Sequence, residues 1–476
     1  MTTLNHKIKL FFLFAGDLAV LWLALWSAIM LRYSGSPELG LLESHVLPFS
    51  IIFAVWLLFF GAFGLYDLRL MKNGRRFLYR LLRVMATNLI FPIALFYFLP
   101  FFEIEPRRNL FLIATLAILF LFVWRYLFNL LIVRAPASKI LFFGVNSDAS
   151  ELAEYLLKNP QLGQKPVAFM AVNGERPPEN LSLPYFESSQ NFSIIIKDSG
   201  IDTIVISREI KENKTLVNIL FQAIPLGISV VEFPSFYEAH TGKIPLSLIR
   251  EVWFLENLIG QKKSYYQFFK RVLDIAVAIV TGCVTLVLLP FIAMGIMIST
   301  PHDVARWREK RARAGDGILF FRQARVGKNG KVFNFVKFRS HRLGAERLSA
   351  VMNEVKEAPN DPRQYSFGTV LRKTYLDELG QIWNILKGEM SFVGPRPERP
   401  EYVEKLKQKV PFYEMRLLVP PGITGWAQVN MEDDAAVEDA PEKMQYDLYY
   451  IKNRSLVLDL LIILKTIFTI LRREGR

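Results

Sequence analysis

The sequence predicts a membrane-embedded α-helical bundle, then a parallel α/β domain, then an α+β domain that contains a re-entrant membrane helix. Three observations support this fold class. Four long apolar stretches precede residue 135, strand and helix patterns alternate from there to about residue 260, and a fifth apolar run begins near residue 270. Because 476 residues exceed the usual size of one domain, we expect three domains, at residues 1–135, 136–260 and 261–476.

The composition is typical of a membrane protein with soluble parts. Hydrophobic residues make up 52% of the chain, and the mean hydropathy is positive. The formal net charge of +14 predicts a negatively charged partner, such as anionic lipid, nucleic acid or a phosphorylated substrate. The predicted bundle and its basic loops account for this charge, so we expect no nucleic-acid partner.

The four apolar stretches of the bundle each approach the ~20 residues that span the hydrocarbon core of a bilayer. They cover residues 10–31, 46–65, 86–102 and 110–133. The loop after the second stretch is basic, with Arg69, Lys72, Arg75, Arg76, Arg80 and Arg83. By the positive-inside rule, this loop and both ends of the bundle lie in the cytoplasm. Asp17, within the first stretch, is expected to make an inward-facing polar contact.

The middle of the chain reads as a Rossmann-like domain. A strand over residues 139–144 leads into a turn, and residues 148–158 have a helical pattern. Further strands are predicted at residues 167–172, 203–206 and 229–233. Of the glycine fingerprint G-x-G-x-x-G only Gly144 is present, so the backbone is poorly suited to approach a pyrophosphate. We therefore expect a regulatory or assembly domain rather than a dinucleotide-dependent enzyme.

The fifth apolar run, residues 272–299, is long enough to cross a bilayer. Basic residues flank both ends, and a crossing helix would have to export the second basic cluster, residues 306–313. Pro290 lies within the run and removes a backbone donor, which favours a break. A re-entrant helix over about residues 270–299, broken at Pro290, satisfies both observations. The alternative is an ordinary fifth span with a proline kink.

A shorter stretch, residues 371–388, carries two adjacent carboxylates, Asp377 and Glu378. Thr374 predicts an N-cap, with Asp377 at the capping-box position, and Gly388 predicts the helix end. Both acids would then lie in the first helical turn, where peptide dipoles favour carboxylates and attract phosphate. Helical spacing predicts one apolar face, made of Leu376, Leu379, Trp383 and Leu386. Helix stabilisation alone could explain acids at this place.

Five sequence blocks surround these acids: F-F-R-Q-A-R-V-G at 320–327, K-F-R-S at 337–340, L-R-K-T-Y-L-D-E-L at 371–379, G-P-R-P at 394–397 and G-I-T-G-W-A-Q-V-N at 422–430. Together they closely resemble the bacterial sugar transferase family, the polyprenyl-phosphate hexose-1-phosphate transferases. The order of bundle, Rossmann-like domain and re-entrant segment is similar to the large members. Three positions depart from the family pattern: Leu289 stands for a common Ser before Pro290, Gly380 for Pro, and Met431 for Gly.

The resemblance implies transfer of a hexose-1-phosphate from a UDP-sugar to undecaprenyl phosphate, with release of UMP. Such a reaction starts the repeat unit of an O-antigen, capsule or exopolysaccharide at the cytoplasmic face of the bacterial inner membrane. Asp377 matches the nucleophile that would form a phosphosugar-aspartyl intermediate. Glu378 matches the acid that binds Mg²⁺ beside Asp377. The resemblance also implies contact with membrane lipids and a homodimer, and the sugar could be galactose, glucose or an N-acetylated hexose.

A diphosphate donor and a lipid phosphate repel each other, so the implied reaction needs cations around the phosphorus. The candidates for phosphate binding are Lys337, Arg339, Arg372 and Arg396. Any one of them could instead be a surface cation or an ion-pair partner. Asp459 matches a family acid, or is a helix-start charge, and it lies in the apolar residues 456–471, which we expect to rest on the membrane surface.

Two other functions would suit a membrane protein with a Rossmann-like domain. A membrane-anchored nucleotide-sugar dehydratase or epimerase needs the glycine fingerprint and a Tyr-x-x-x-Lys pair. The one match, Tyr266 with Lys270, lies at the start of the membrane run, outside any Rossmann core. A non-catalytic scaffold for polysaccharide assembly would not need the intact pair Asp377 and Glu378.

Overall fold

In a computed structural model, the chain forms two compact units, Met1–His240 and Thr241–Arg476. The residues that the structure describes are 2–33, 39–67, 71–98, 106–134, 136–144, 147–171, 183–186, 192–207, 210, 213–221, 224–258, 264–303, 317–343, 345, 363–431 and 439–471. Arg69 and the basic cluster at 306–313 lie outside them.

The first unit begins with four long helices, α1 (Thr2–Arg32), α2 (Leu39–Ala62), α3 (Arg75–Phe98) and α4 (Pro106–Arg134). The prediction of four helices before residue 135 is confirmed. Among the described residues, four stretches are long and apolar enough to cross a membrane: Ile8–Arg32, Glu43–Gly61 and Leu110–Ile132 in the bundle, and Ser264–Ser299 in the second unit. Helix α3 begins eleven residues before the predicted third span because the basic loop residues are themselves helical. Residues 99–102 of that predicted span lie outside the described part of the chain.

A buried ion pair joins the first and fourth helices of the bundle. Asp17 is 0% exposed and accepts hydrogen bonds from Arg125, at 3.1 Å from Nε and 2.5 Å from the second guanidinium nitrogen. Arg125 also donates to the carbonyl oxygen of Leu65, at 2.6 Å. A Cβ on Gly16 would lie 2.0 Å from the Trp124 ring, so glycine lets α1 and α4 approach closely. The predicted inward-facing contact of Asp17 is therefore confirmed.

A five-stranded parallel sheet follows in the first unit. Its strands are β1 (Ser138–Phe143), β2 (Gln164–Met170), β3 (Tyr185–Phe186), β4 (Thr203–Ile206) and β5 (Ser229–Glu232), in the spatial order β3-β2-β1-β4-β5. The helices beside it in sequence are α5 (Ser147–Lys158), α6 (Phe192–Ser199), α7 (Lys214–Phe221) and α8 (Phe233–Thr241). The central strands β1 and β4 contain continuous buried apolar runs, which are typical of a parallel sheet. The predicted parallel α/β fold is confirmed.

The second unit starts about 20 residues before the predicted boundary at residue 261. Ile244 and helix α9 (Glu251–Asn257) pack with the buried side chains Val403, Met444 and Leu448 of the second unit. The apolar residues of this segment carry no sign in the sequence of which neighbouring core they join. The packing of these side chains therefore assigns the segment to the second unit, which the hydrophobic periodicity of the sequence could not do.

Helix α10 (Ser264–Ser299) contains the whole fifth apolar run and continues through Pro290. The predicted break of the helix at Pro290 is wrong at the level of secondary structure. A proline inside a helix removes one hydrogen bond and can kink the helix without ending it. One face of α10 is buried against the unit, at Asp274, Ala278, Ile292 and Ile296.

The remaining elements of the second unit support the site. They are β6 (Phe320–Val326), β7 (Val332–Phe338), α11 (Ser366–Lys373), α12 (Ile382–Lys387), β8 (Ser391–Val393), α13 (Pro400–Lys409), β9 (Gly422–Thr424), α14 (Trp426–Asn430), α15 (Ala440–Asn453) and α16 (Leu456–Leu471). Strands β6 and β7 form an antiparallel hairpin, and β8 pairs in parallel with β9. An α+β unit is therefore present, as predicted.

Candidate active site

The two acids lie on a 3₁₀ turn between two short helices, and the predicted capping is wrong. Thr374 is the C-cap of α11, and its hydroxyl donates to the carbonyl oxygen of Val370, at 2.7 Å. Tyr375 has a left-handed backbone with φ 57°, and residues 376–381 then form the 3₁₀ turn. Helix α12 begins only at Ile382, so Asp377 and Glu378 are not in its first turn. Gly388 ends α12, as predicted, and adopts a left-handed backbone with φ 84°.

The predicted apolar face is also wrong in part. Ile382 and Ile385 are the buried residues of α12, whereas Trp383 and Leu386 are 58% and 41% exposed. The 3₁₀ turn shifts the phase of the helix relative to a continuous α-helix from Thr374. The exposed side chains therefore lie on the opposite face from the core of the unit.

The Asp377–Glu378 pair meets basic side chains from two other sequence blocks. Lys337, at the end of β7, places its Nζ 2.9 Å from Glu378 Oε1 and 3.7 Å from Asp377 Oδ2. Arg396 reaches to 3.9 Å from Glu378 Oε1. Asp377 itself is only 7% exposed. The structure thus brings together four of the predicted site residues.

Two residues that sequence reasoning missed hold the acid turn against β7. Asn384 donates to the carbonyl oxygen of Asn334 at 2.7 Å and accepts from the backbone N–H of Val336 at 3.1 Å. A Cβ on Gly380 would lie 3.0 Å from the Cα of Lys337, so glycine permits the close approach. The signal available in the sequence was the amide side chain of Asn384 among the apolar residues of 382–386.

Burial raises the pKa of Asp377 above its ordinary value. The Lys337 ammonium opposes this shift, the Glu378 carboxylate adds to it, and Arg372 and Arg396 oppose it from further away. The expectation that helix dipoles keep Asp377 ionised is thus replaced by a balance between burial and neighbouring cations. Lys337 is the cation with the greatest effect on the charge of Asp377.

Arg372 lies in the last turn of α11, where it interacts electrostatically with Asp377. Its guanidinium is 2.9 Å from Nε2 of His341. Since a guanidinium is always a donor, His341 accepts through an unprotonated Nε2 in this arrangement. His341 directly follows the K-F-R-S block, and sequence reasoning did not select it.

The structure gives Arg339 a different position from the one predicted. Arg339 is 2% exposed and donates to Asp303 at 2.7 Å, Thr300 at 2.8 Å and the Ile318 carbonyl oxygen at 2.8 Å. Its own carbonyl oxygen accepts from Tyr365. Within the described residues, its guanidinium thus fixes the chain just after α10 and does not join the acid pair. Four of the five guanidinium N–H groups of Arg339 donate to partners away from the acid pair, so this arrangement does not support the predicted phosphate contact.

Asp459 is buried in a second polar cluster near the start of α10. Its carboxylate accepts hydrogen bonds from Tyr450 at 2.8 Å, Tyr266 at 2.9 Å and Lys270 at 3.0 Å. The Tyr450 hydroxyl oxygen also lies 3.1 Å from the carbonyl oxygen of Val393, so the two acceptors share its single proton. In the described part of the chain, Asp459 is not brought to the acid pair. It ties α16 to α10 and to strand β8, which leads to Arg396.

Glycines let the G-P-R-P loop and the G-I-T-G loop of the site pack against each other. A Cβ on Gly394 would lie 2.3 Å from the Pro420 carbonyl oxygen, and one on Gly425 would lie 2.4 Å from the Gly394 carbonyl oxygen. The backbone N–H of Gly394 donates to the carbonyl oxygen of Thr424, at 2.9 Å. The G-I-T-G block therefore supports the G-P-R-P loop. Residues 432–438, which follow the Met431 departure, lie outside the described residues.

The acid pair has the donor chemistry that Mg²⁺ prefers. Mg²⁺ in proteins is held by one or two carboxylates together with water and substrate phosphates. Among the described residues, no group of three or more His, Cys, Asp or Glu side chains could hold a metal by itself. Asp377 and Glu378 therefore fit a Mg²⁺ ion that arrives with a phosphorylated substrate.

Comparison with known proteins identifies the chain. The family model for bacterial sugar transferases matches residues 265–473, and a model described as a CoA-binding domain matches residues 61–232. The first match covers every element of the acid-pair site, and the second covers the parallel sheet. The protein belongs to the bacterial sugar transferase family, and the predicted family is confirmed.

Three relatives show the range of similarity. A UDP-N-acetylgalactosamine-undecaprenyl-phosphate N-acetylgalactosaminephosphotransferase of Aeromonas hydrophila is 36% identical over 52% of this chain and 53% of its own length. A UDP-glucose:undecaprenyl-phosphate glucose-1-phosphate transferase of Xanthomonas campestris pv. campestris is 28% identical over 71% of this chain and 67% of its length. A Bacillus subtilis protein, provisionally named as an undecaprenyl-phosphate N-acetylgalactosaminyl 1-phosphate transferase, is 35% identical over 33% of this chain and 78% of its length. The chain thus spans about half the length of the Aeromonas relative.

Proposed function

We propose that this protein transfers a sugar-1-phosphate from a UDP-sugar to undecaprenyl phosphate and thereby starts a polysaccharide repeat unit. The observation that carries the proposal is the Asp377–Glu378 pair, partly buried against Lys337 and Arg396. Two carboxylates beside two cations suit a diphosphate whose charge must be offset during attack at phosphorus. The names of the relatives, which combine UDP-sugars with undecaprenyl phosphate, support the same reaction.

In the first step, an oxygen of the Asp377 carboxylate attacks the phosphorus that bears the sugar. A new P–O bond forms to Asp377, and the P–O bond to UMP breaks with its electron pair left on UMP. In the second step, a phosphate oxygen of undecaprenyl phosphate attacks the same phosphorus. The bond to Asp377 breaks, the carboxylate returns to its starting state, and undecaprenyl-diphospho-sugar leaves. Covalent catalysis replaces one difficult displacement with two easier ones.

The basic residues act on the charge of both steps. Lys337 keeps Asp377 ionised against the effect of burial and so preserves its nucleophilicity. Arg396 and Arg372 are placed to bind phosphate oxygens as they gain charge. Glu378, with Asp377, would hold Mg²⁺, which when bound neutralises charge on the diphosphate.

The contacts of α10 support a helix that enters the membrane without crossing it. Near its start, Asp274 accepts hydrogen bonds from the Ser391 hydroxyl and the Phe392 N–H, both at 3.0 Å. Just beyond its end, Asp303 pairs with Arg339 at 2.7 Å. A crossing helix of 36 residues would be about 54 Å long, with its ends on opposite faces of the bilayer. One compact unit bonded to both ends favours a re-entrant arrangement with the catalytic unit at the cytoplasmic face.

The test is release of UMP by the purified full-length protein in lipid nanodiscs. Three donors suffice for the first screen: UDP-glucose, UDP-galactose and UDP-N-acetylgalactosamine. Asp377→Asn is expected to abolish UMP release, while Glu401→Gln, an exposed carboxylate on α13, leaves it unchanged. Without undecaprenyl phosphate, the wild type should gain the mass of one sugar-phosphate on the peptide that contains Asp377. Full UMP release by Asp377→Asn would overturn the nucleophile assignment.

A further inference from the structure

Five charged side chains that the mechanism does not use converge beneath the G-P-R-P loop. We name them the ion cluster: Arg325, Glu398, Arg416, Lys443 and Asp447. Lys443 Nζ lies 2.9 Å from Glu398 Oε1, and Arg416 lies 2.9 Å from Asp447 Oδ2. Arg325 and Arg416 approach the Glu398 carboxylate at 3.8 and 4.0 Å. Their side chains are between 2% and 19% exposed.

The ion cluster is bonded to the main chain of Arg396 and of the residue that follows it. Arg416 donates to the carbonyl oxygen of Arg396 itself, at 3.1 Å, and Arg325 donates to the carbonyl oxygen of Pro397, at 3.0 Å. The carbonyl oxygen of Glu398 accepts from the backbone N–H of Val326, at 2.9 Å. Two guanidiniums and one strand therefore hold three successive residues of the loop.

On its other side, Arg396 extends toward the acid pair, 3.9 Å from Glu378 Oε1. A small pocket, partly open to solvent, lies beside it and is also lined by Glu398, Tyr413 and Arg416; it has room for about one water molecule. The Arg396 side chain borders this pocket and the acid pair. Its direction depends on how firmly the loop backbone is held.

Stability alone is a weak reason to bury five charges. Apolar side chains of similar size often stabilise a core as well as a buried ion pair does, because charges lose hydration when they are buried. Apolar side chains cannot donate hydrogen bonds to loop carbonyl groups. The cations of the ion cluster do donate them, and its carboxylates keep those cations in place. The burial of Glu398 is compensated by its neighbours, since Lys443 and Arg416 lower its pKa to about 2.

We propose that the ion cluster is a positioning device that aims Arg396 at the donor diphosphate. This inference rests on the proposed transfer from a UDP-sugar. Asp447 orients Arg416, Arg416 and Arg325 hold the loop backbone, and the backbone directs Arg396 across the acid pair. The members of the ion cluster are positioning residues, since they act only through Arg396.

A double-mutant cycle with Arg396→Ala tests the proposal. Asp447→Asn keeps the shape of the side chain and removes the charge that orients Arg416. A misplaced catalytic contact can cost on the order of 100-fold in rate, so we expect Asp447→Asn to lower kcat/KM for the UDP-sugar by about tenfold or more. In the Arg396→Ala background the same change should cost less than about twofold, because the residue that it positions is gone. Glu442→Gln, next to Lys443 on α15 but paired with Lys243, is the matched control with unchanged kcat/KM.

Equal losses in the two backgrounds would overturn the proposal and leave the ion cluster a purely structural feature. Thermal unfolding of each variant reports separately on folding. If Asp447→Asn does not fold, Arg416→Lys takes its place in the cycle. That change keeps the positive charge near Asp447 but loses the second nitrogen, which donates to Arg396.

Failure of the proposed function would look different. A wild-type protein that releases no UMP from any of the three UDP-sugars would overturn the transferase proposal. Calorimetric binding of UDP to the same proteins would then decide the positioning role, because binding needs only the diphosphate. Weaker UDP binding by Asp447→Asn in the wild-type background alone supports positioning, and equal weakening in both backgrounds overturns it.

Discussion

Replacement of Lys337 by Met tests the balance that sets the charge of Asp377. The Lys337 ammonium lies 3.7 Å from Asp377 Oδ2, and the two side chains are 19% and 9% exposed. Unit charges at this separation attract each other by about 4 kcal/mol at an effective dielectric constant of ~20. Partial exposure of the two side chains reduces this attraction to about 2–3 kcal/mol. Its removal in Lys337→Met corresponds to a loss on the order of 100-fold in kcat/KM near pH 7.

The sign of the pH effect follows from the same balance. Burial already raises the pKa of Asp377, and loss of Lys337 removes the strongest opposing charge, so the pKa rises further. Asp377 is the nucleophile only when ionised, so the acidic limb of the pH–rate profile should move to higher pH in Lys337→Met. Part of the lost rate should return as the pH is raised.

The assay is the initial rate of UMP release between pH 5 and 9, with Lys331→Met as the matched control. Lys331 is an exposed lysine on the same hairpin, just before β7, and its loss should leave the profile unchanged. An acidic limb at the same pH in wild type and Lys337→Met would refute the reasoning. In that case Lys337 would serve phosphate binding without setting the charge of Asp377.

Two further predictions concern stability. The pKa of Glu398 is lowered from 4.5 to about 2, so this carboxylate contributes stability that is present above pH 4.5 and lost as the pH falls toward 2. The contribution amounts to about 3 kcal/mol. Denaturant unfolding of Glu398→Gln should therefore show a weaker pH dependence in that window than the wild type. Asp303→Ala leaves the buried Arg339 without its carboxylate partner and should destabilise the protein by about 3–5 kcal/mol, seen as a lower unfolding temperature. The KM for the UDP-sugar should stay near the wild-type value. A large rise in KM with unchanged stability would instead return Arg339 to the phosphate site.

The large elements were predictable because each depends on a pattern within one segment. Long apolar stretches indicate membrane helices, and the continuous apolar runs of β1 and β4 indicate a buried parallel sheet. The strand β3 was missed because two residues carry no periodicity. The second compact unit starts at Thr241, before the predicted domain boundary at residue 261, because the apolar residues near Trp253 join a core formed by distant parts of the chain.

The site was predictable in composition but not in local geometry. The sequence motifs identified Asp377, Glu378, Lys337 and Arg396, and the structure brings them together. The capping prediction failed because α11 extends to Lys373 and uses Thr374 at its C-terminal end. Lys337 and Arg339 are two residues apart and would share one face of a continuing strand. Strand β7 ends at Phe338, so the chain turns and Arg339 points into a different environment.

The last prediction concerns the membrane topology of α10. Side chains along one face of this helix contact the second unit near both of its ends, which indicates that both ends lie with the same unit. Cys283 is the single cysteine of the chain, so its replacement by Ala gives a clean background. Single cysteines at Tyr265 and His302, both exposed, would then mark the two ends of the helix.

In intact cells, a membrane-impermeant maleimide should label neither of these cysteines, and after permeabilisation it should label both. A crossing helix would instead expose one of them to the outside before permeabilisation. Because Asp274 and Arg339 bond the two ends of α10 to the unit that carries Asp377, that result would require one compact unit to reach both faces of the bilayer. Labelling of both ends only from the cytoplasm would place the acid pair beside the headgroups, where the phosphate of the lipid acceptor lies.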